Sequence, residues 1–218
     1  MTVLVEACVD SVESATAAEQ GGAARLELCE QLDVGGTTPS AELIAAVKGA
    51  VRVPVFVMIR PRGGTFVYTA AEADQMRKSI DAALNLGADG LVFGALNEVG
   101  DVNRALSREL VERSAFHPVT FHRAFDEARS QATALEALVE AGVDRVLTGG
   151  GTGTAAEGID LLRDLVYESL GRITIMAGGK VRGENARAIV EQTGVSELHA
   201  RCELDPTRIS AIVDAVRS

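Results

Sequence analysis

The sequence predicts a closed (β/α)8 barrel of the TIM type, a single domain over residues 1–218, and three observations carry that expectation. Short β-rich segments alternate with longer Ala/Leu/Glu-rich ones along the whole chain, the pattern of parallel strands covered by helices. No Pro/Ser-rich run, like-charge block or low-complexity tract interrupts it, so no linker divides the chain. A junction recurs four times: Gly22-Ala23-Ala24-Arg25-Leu26, Gly87-Ala88-Asp89-Gly90-Leu91, Gly142-Val143-Asp144-Arg145-Val146 and Gly194-Val195-Ser196-Glu197-Leu198. The leading glycines are 65, 55 and 52 residues apart and precede the even strands. Four βαβα quarters favour a closed barrel over an open doubly wound sheet.

In chain order, strands are expected at Val3–Cys8, Arg25–Cys29, Val55–Arg60, Gly90–Gly94, Val119–Arg123, Arg145–Thr148, Ile173–Ala177 and Glu197–Ala200. The helices fall near 11–20, 39–51, 70–86, 103–115, 127–141, 154–168, 183–192 and 205–217. Thr69, Asn103 and Asp205 occupy N-cap positions, and Gly21, Gly87, Gly142 and Gly194 occupy left-handed C-cap positions. Strand side chains alternate between the helices and the barrel axis. Val3, Val5 and Ala7 face the helices, leaving Leu4, Glu6 and Cys8 on the axis. By the same parity Glu27 and Cys29, Phe56, Met58 and Arg60, Thr120 and His122, Thr174 and Met176, and Glu197 and His199 point inward. The fourth and sixth strands do not declare a parity.

With 21 Lys+Arg against 31 Asp+Glu, the net charge of −10 argues against a nucleic-acid or anionic-membrane partner, though not against a local pocket for a small anion. The N-terminus lacks the basic and apolar regions of a signal peptide, and no apolar run approaches the roughly 20 residues that span a bilayer. Three cysteines, Cys8, Cys29 and Cys202, are too few for a disulfide scaffold and fit free thiols in the cytoplasm.

The inward charges need a reason, because each costs several kcal/mol to bury unless paired. One reading is an internal Glu–Arg–His salt-bridge set that fills the barrel. The other is a site at the C-terminal ends of the strands, where barrels of this kind act. In that second reading Glu6 or Glu27 is a general acid/base, Arg60 holds an anion and His122 relays a proton or polarises a carbonyl. Arg60 is expected close to Glu27, either as its counterion or awaiting a ligand. Arg62, Arg123, Gly149, Gly150, Gly178, Gly179, Lys180 and His199 complete the anion-binding set, the glycines through open backbone N–H groups. Only three lysines occur and none lies in a strand, which disfavours a Schiff-base aldolase. No dinucleotide fingerprint is present, so no nucleotide cofactor is expected. Cys8 and Cys29 end neighbouring strands, where both thiols can reach one metal ion; Cys202, just past the eighth strand, is a candidate to join them.

The motifs Glu6-Ala7-Cys8-Val9-Asp10-Ser11, Leu26-Glu27-Leu28-Cys29-Glu30, Gly35-Gly36-Thr37-Thr38-Pro39-Ser40, Val57-Met58-Ile59-Arg60-Pro61-Arg62-Gly63-Gly64, Gly90-Leu91-Val92-Phe93-Gly94, Thr120-Phe121-His122-Arg123-Ala124-Phe125-Asp126 and Leu147-Thr148-Gly149-Gly150 resemble the CutC family, named for copper homeostasis. The resemblance covers essentially the whole chain. It implies a cytoplasmic TIM-type barrel, a homo-oligomer (dimer or larger), and Cu(I) carried by Cys8 and Cys29; it implies no established reaction. Lys180, in place of a third glycine, and Arg201-Cys202, in place of smaller residues, depart from the family pattern. Three readings are therefore open: Cu(I) binding with Met58, Met176 or a histidine beside the thiolates, a metal-independent isomerase, epimerase or lyase for a small anionic metabolite, or an oligomeric scaffold with a vestigial site.

Overall fold

The computed structural model describes residues 3–151 and 153–217; Met1 and Thr2, part of the N-terminal reading, Thr152 of the glycine run, and Ser218 lie outside it. Among the described residues eight strands and eight α-helices alternate: β1 (Leu4–Val9), α1 (Val12–Gln20), β2 (Arg25–Leu28), α2 (Ala41–Ala50), β3 (Val55–Met58), α3 (Ala70–Asn85), β4 (Gly90–Phe93), α4 (Arg104–Arg113), β5 (Val119–Phe121), α5 (Gln131–Ala141), β6 (Arg145–Thr148), α6 (Ile159–Ser169), β7 (Thr174–Gly178), α7 (Gly183–Thr193), β8 (Glu197–Arg201) and α8 (Pro206–Val216). Each strand pairs in parallel with the next, and β8 returns to β1 with Glu6 opposite His199, closing the barrel.

The helices begin where side chains satisfy their first N–H groups. Thr69, Asn103 and Asp205 accept from the backbone of Glu72, Leu106 and Thr207, as the sequence predicts. Gly142 and Gly194 are left-handed C-caps, at φ 81° and 75°. Gly21 is not: it is right-handed at φ −71°, and the left-handed turn falls one residue later, on Gly22 at φ 86°. Gly87 is left-handed at φ 85° but follows the C-cap, Leu86. The junction glycines of all four repeats therefore share one backbone conformation.

Two helices start later than the sequence predicts. A 3-10 turn over Arg123–Glu127 follows β5, capped by the His122 ring, and delays α5 to Gln131. Before α6, Thr154 and Glu157 close a turn on each other, with the Thr154 N–H donating to Glu157 Oε2 at 2.8 Å.

The apolar residues form two layers. Val5, Ala7, Leu26, Leu28, Val55 and Val57 belong to the outer layer between sheet and helices. Cys8, Cys29, Phe56, Met58 and Val92 cluster on the axis. Val92 thereby assigns the inward parity of β4, and Arg145, paired on the axis with Glu197, assigns that of β6.

Candidate functional site

The lower barrel interior is charged and closed. Arg25, at the start of β2, donates to Glu6 and, at 2.5 Å, to Glu197 Oε2. Arg145 donates to the same Glu197 at 2.5 Å and to the Thr120 hydroxyl at 3.2 Å. Both guanidinium groups lie over the Phe56 ring, 5.0 and 5.6 Å from its centre. Two arginines thus balance two glutamates, which makes the burial tolerable. Burial alone would raise the Glu6 carboxyl, but the His199 hydrogen bond and the Arg25 charge outweigh it and bring it down to about 2. Glu6 does not line the cavity above, so as an acid/base candidate it is misplaced; its carboxylate is held in the barrel interior by Arg25 and His199. Met176, offered as a soft metal donor, is likewise held from below, its sulfur 3.3 Å from Arg25 Nη2.

Above this layer His199 joins the two halves. Its Nδ1 lies 2.8 Å from Glu6 Oε1 and its Nε2 3.7 Å from Glu27 Oε2. Cys8 Sγ, a Glu27 oxygen and a His199 ring nitrogen all lie within 4.8 Å of one another, and Cys29 Sγ is 3.6 Å from Glu27 Oε2. A hydrogen bond from Cys29, opposed by burial and helped by His199, brings the Cys8 thiol down to about 5. Cys29 is pushed well up because it donates to Cys8 and is buried. Burial also pushes Glu27 well up, against the His199 charge. Burial would lower His199, but Glu27, Cys8 and Glu6 together raise it well above its ordinary value. Gly36 is needed here: at φ 85°, it would bring a Cβ to 3.2 Å from Cys29 Sγ.

This group forms the floor of a cavity of about 640 Å³ at the C-terminal mouth, lined by Cys8, Glu27, Cys29, Met58, Arg60, His122, Gly179, Lys180 and His199 among others. His122 is buried, and its Nδ1 accepts the Ala124 N–H at 3.1 Å, so the proton sits on Nε2, which has no partner among the described residues. Burial, with the Arg60 charge added, holds its pKa down to about 3. Room for the ring comes from Gly94, where a Cβ would stand 2.4 Å from Nδ1 and Cε1. Glu27 Oε1 is another buried polar atom without a partner among the described residues.

Other candidates are placed differently. Arg60 is not the counterion of Glu27: its guanidinium donates to the carbonyls of Val34 and Gly36 at 3.0 Å each and of Gly64 at 2.9 Å, and stacks on Phe66. It clamps two mouth loops together. Arg62 does not line the cavity; it holds Glu72 and the Gly63, Thr65 and Val67 carbonyls. Gly149 and Gly150 do not line it either. The Gly149 and Gly151 N–H groups and the Thr148 hydroxyl cradle the protein's own Asp126 carboxylate, which Arg123 Nε also holds at 2.7 Å. The glycine loop has the anion-binding chemistry expected of it, but an internal anion fills it. Gly178 is packed inside β7 against Leu147, whereas Gly179 and Lys180 reach the cavity. Cys202 belongs to the outer apolar layer, its Sγ donating to the Glu203 carbonyl at 3.0 Å, and does not join the other two cysteines.

Residues 3–203 match the CutC family. The chain is 50% identical over 196 residues to the copper homeostasis protein cutC homolog of Mus musculus, covering 90% of this chain and 72% of that one. It is 48% identical over 209 residues to the Homo sapiens homolog, covering 96% and 76%. A CutC crystal structure from Streptococcus agalactiae superposes with a TM-score of 0.88 at 34% identity, over 95% of this chain and 100% of that one. In sequence and in fold, over nearly its whole length, the chain belongs to the CutC family.

Proposed function

We propose that this protein binds Cu(I) through Cys8 and Cys29, in the copper homeostasis for which its relatives are named. The observation that carries the reading is the pair of cysteines on the cavity floor, with the Cys8 thiol lowered to about 5 and so a thiolate at neutral pH. Thiolates are soft donors that select Cu(I) over hard cations, and Met58 in the same cluster adds a thioether. His199 supplies a nitrogen within 4.8 Å of Cys8 Sγ. Copper is the cargo in this reading, and no reaction is required of the site.

The thiols must stay reduced, which fits a cytoplasmic protein; all three cysteines are free. Among the described residues no helix is long and apolar enough to cross a membrane. We expect a homo-oligomer, a dimer or larger, and light scattering of the purified chain reads this directly. The copper reading is tested by titrating reduced protein with Cu(I) against a competing chelator. The parent should bind one ion, and Cys8→Ser and Cys29→Ser should each bind at least about tenfold more weakly, a change of about 1.4 kcal/mol. Parent-like affinity in both variants would reject the site.

A further inference from the structure

The cavity carries a second kind of chemistry that copper does not use. Five cationic side chains, Arg60, Arg123, Lys180, Arg182 and Arg201, line it in a chain of net charge −10. Arg60 and Arg123 are committed to loop carbonyls and Asp126. Lys180 and Arg182, which precede α7, form no ion pair among the described residues; the Arg182 guanidinium donates to the Val181 carbonyl at 2.7 Å. Glu157 lies in the field of Lys180, but its carboxylate is tied to the Thr154 N–H and hydroxyl at 2.8 Å each. Lys180 also sits at φ 54°, a left-handed conformation that favours glycine, so a lysine is held at the mouth against its backbone preference.

Two further polar groups line the same cavity. His122 is 5% exposed and its Nε2–H has no partner; Glu27 is 3% exposed and its Oε1 has none. Buried polar atoms left unpaired are costly, and they sit where a ligand completes them. A neutral imidazole N–H suits a carbonyl or hydroxyl oxygen. Two cations without an ion-pair partner among the described residues, placed before a helix N-terminus, suit a phosphate. A volume of about 640 Å³ exceeds the needs of a metal ion or an inorganic anion and fits a small metabolite.

We propose that this cavity binds a small organic phosphate. Its phosphate group lies against Lys180, Arg182 and the start of α7, and a carbonyl or hydroxyl oxygen of its body lies towards His122. The proposal is independent of the copper reading. It is tested on the full, reduced, metal-free chain by calorimetric titration at constant ionic strength, with glycerol 3-phosphate, inorganic phosphate and pyruvate as probes. Glycerol 3-phosphate should bind at least about tenfold more tightly than inorganic phosphate or pyruvate. Lys180→Gly suits the left-handed backbone, so it should weaken both phosphates about tenfold without lowering the melting temperature. His122→Gln should erase the preference for the organic phosphate. No saturable binding of either phosphate up to about 10 mM would overturn the proposal. So would parent-like binding by Lys180→Gly, or pyruvate binding as tightly as glycerol 3-phosphate. Because no metal is present, failure here leaves the copper site standing, and loss of Cu(I) binding leaves this one standing.

Discussion

The lower and upper halves of the barrel interior are built from the same residue types and do opposite things with them. Below, Glu6, Arg25, Arg145 and Glu197 pair completely, two positive charges against two negative, with Phe56 filling the space beneath the guanidinium groups. Above, Glu27 and His122 each keep a buried polar atom without a partner, two cysteines share the floor, and a cavity opens over them. Glutamate on the axis is therefore no mark of function by itself. A polar group that finds its partner inside the protein holds the fold together, and one left unpaired at the mouth waits for something from outside.

Substitutions in each half sharpen or break that contrast. The largest effect belongs to the lower half: Arg25→Met leaves Glu6 and Glu197 short of a counterion, and urea denaturation should show a loss of roughly 3–5 kcal/mol. A loss below about 1 kcal/mol would mean that the lower charges are not a closed structural set. Next comes acid sensitivity from the upper half. His122 is held down to about 3 by burial, with Arg60 adding to it, against about 6.5 when unfolded. Below pH 6.5 the unfolded chain takes up a proton that the folded chain refuses, so stability falls as pH drops from 6.5 towards 3 and levels off below. Between pH 6.5 and 4.5 the loss is about 2–3 kcal/mol. Over that range the parent should therefore lose stability more steeply than His122→Gln, since the other shifted groups, Glu6, Glu27 and His199 among them, are common to both. Equal slopes would place His122 in contact with water. The smallest effect is at Gly94. An alanine there must displace the His122 ring, which should lower stability by about 1–3 kcal/mol, read from the melting temperature.

How much of this was legible in the sequence differs between the halves for physical reasons. The parity of β1 and β3 is readable because Val3, Val5 and Ala7, and Val55, Val57 and Ile59, are uniformly apolar, while the other face carries Glu6 and Cys8, and Met58 and Arg60. Gly90-Leu91-Val92-Phe93 is apolar on both faces, so β4 carried no such signal. Arg25 and Arg145 begin their strands, where a charge is ordinarily solvated, and their axial role appears only when Glu197 is brought across from β8. The glycine run after β6 reads as a cradle for a ligand anion, and nothing local identifies Asp126, more than 20 residues earlier, as the group that fills it. Cys202 was decidable: Leu198 and Ala200 face outward, and the same alternation carries Cys202 outward with them. Gly94 was visible as a glycine, while its purpose, room for His122, belongs to a contact between different strands.

Whether copper enters the upper half through sulfur is read by X-ray absorption at the copper edge on the Cu(I)-loaded, reduced chain. The parent should show two sulfur donors on the metal, falling to one in Cys8→Ser and in Cys29→Ser, while Cys202→Ser leaves the spectrum of the parent unchanged. A first shell of nitrogen and oxygen alone, or a spectrum indifferent to Cys8 and Cys29, would contradict the copper proposal.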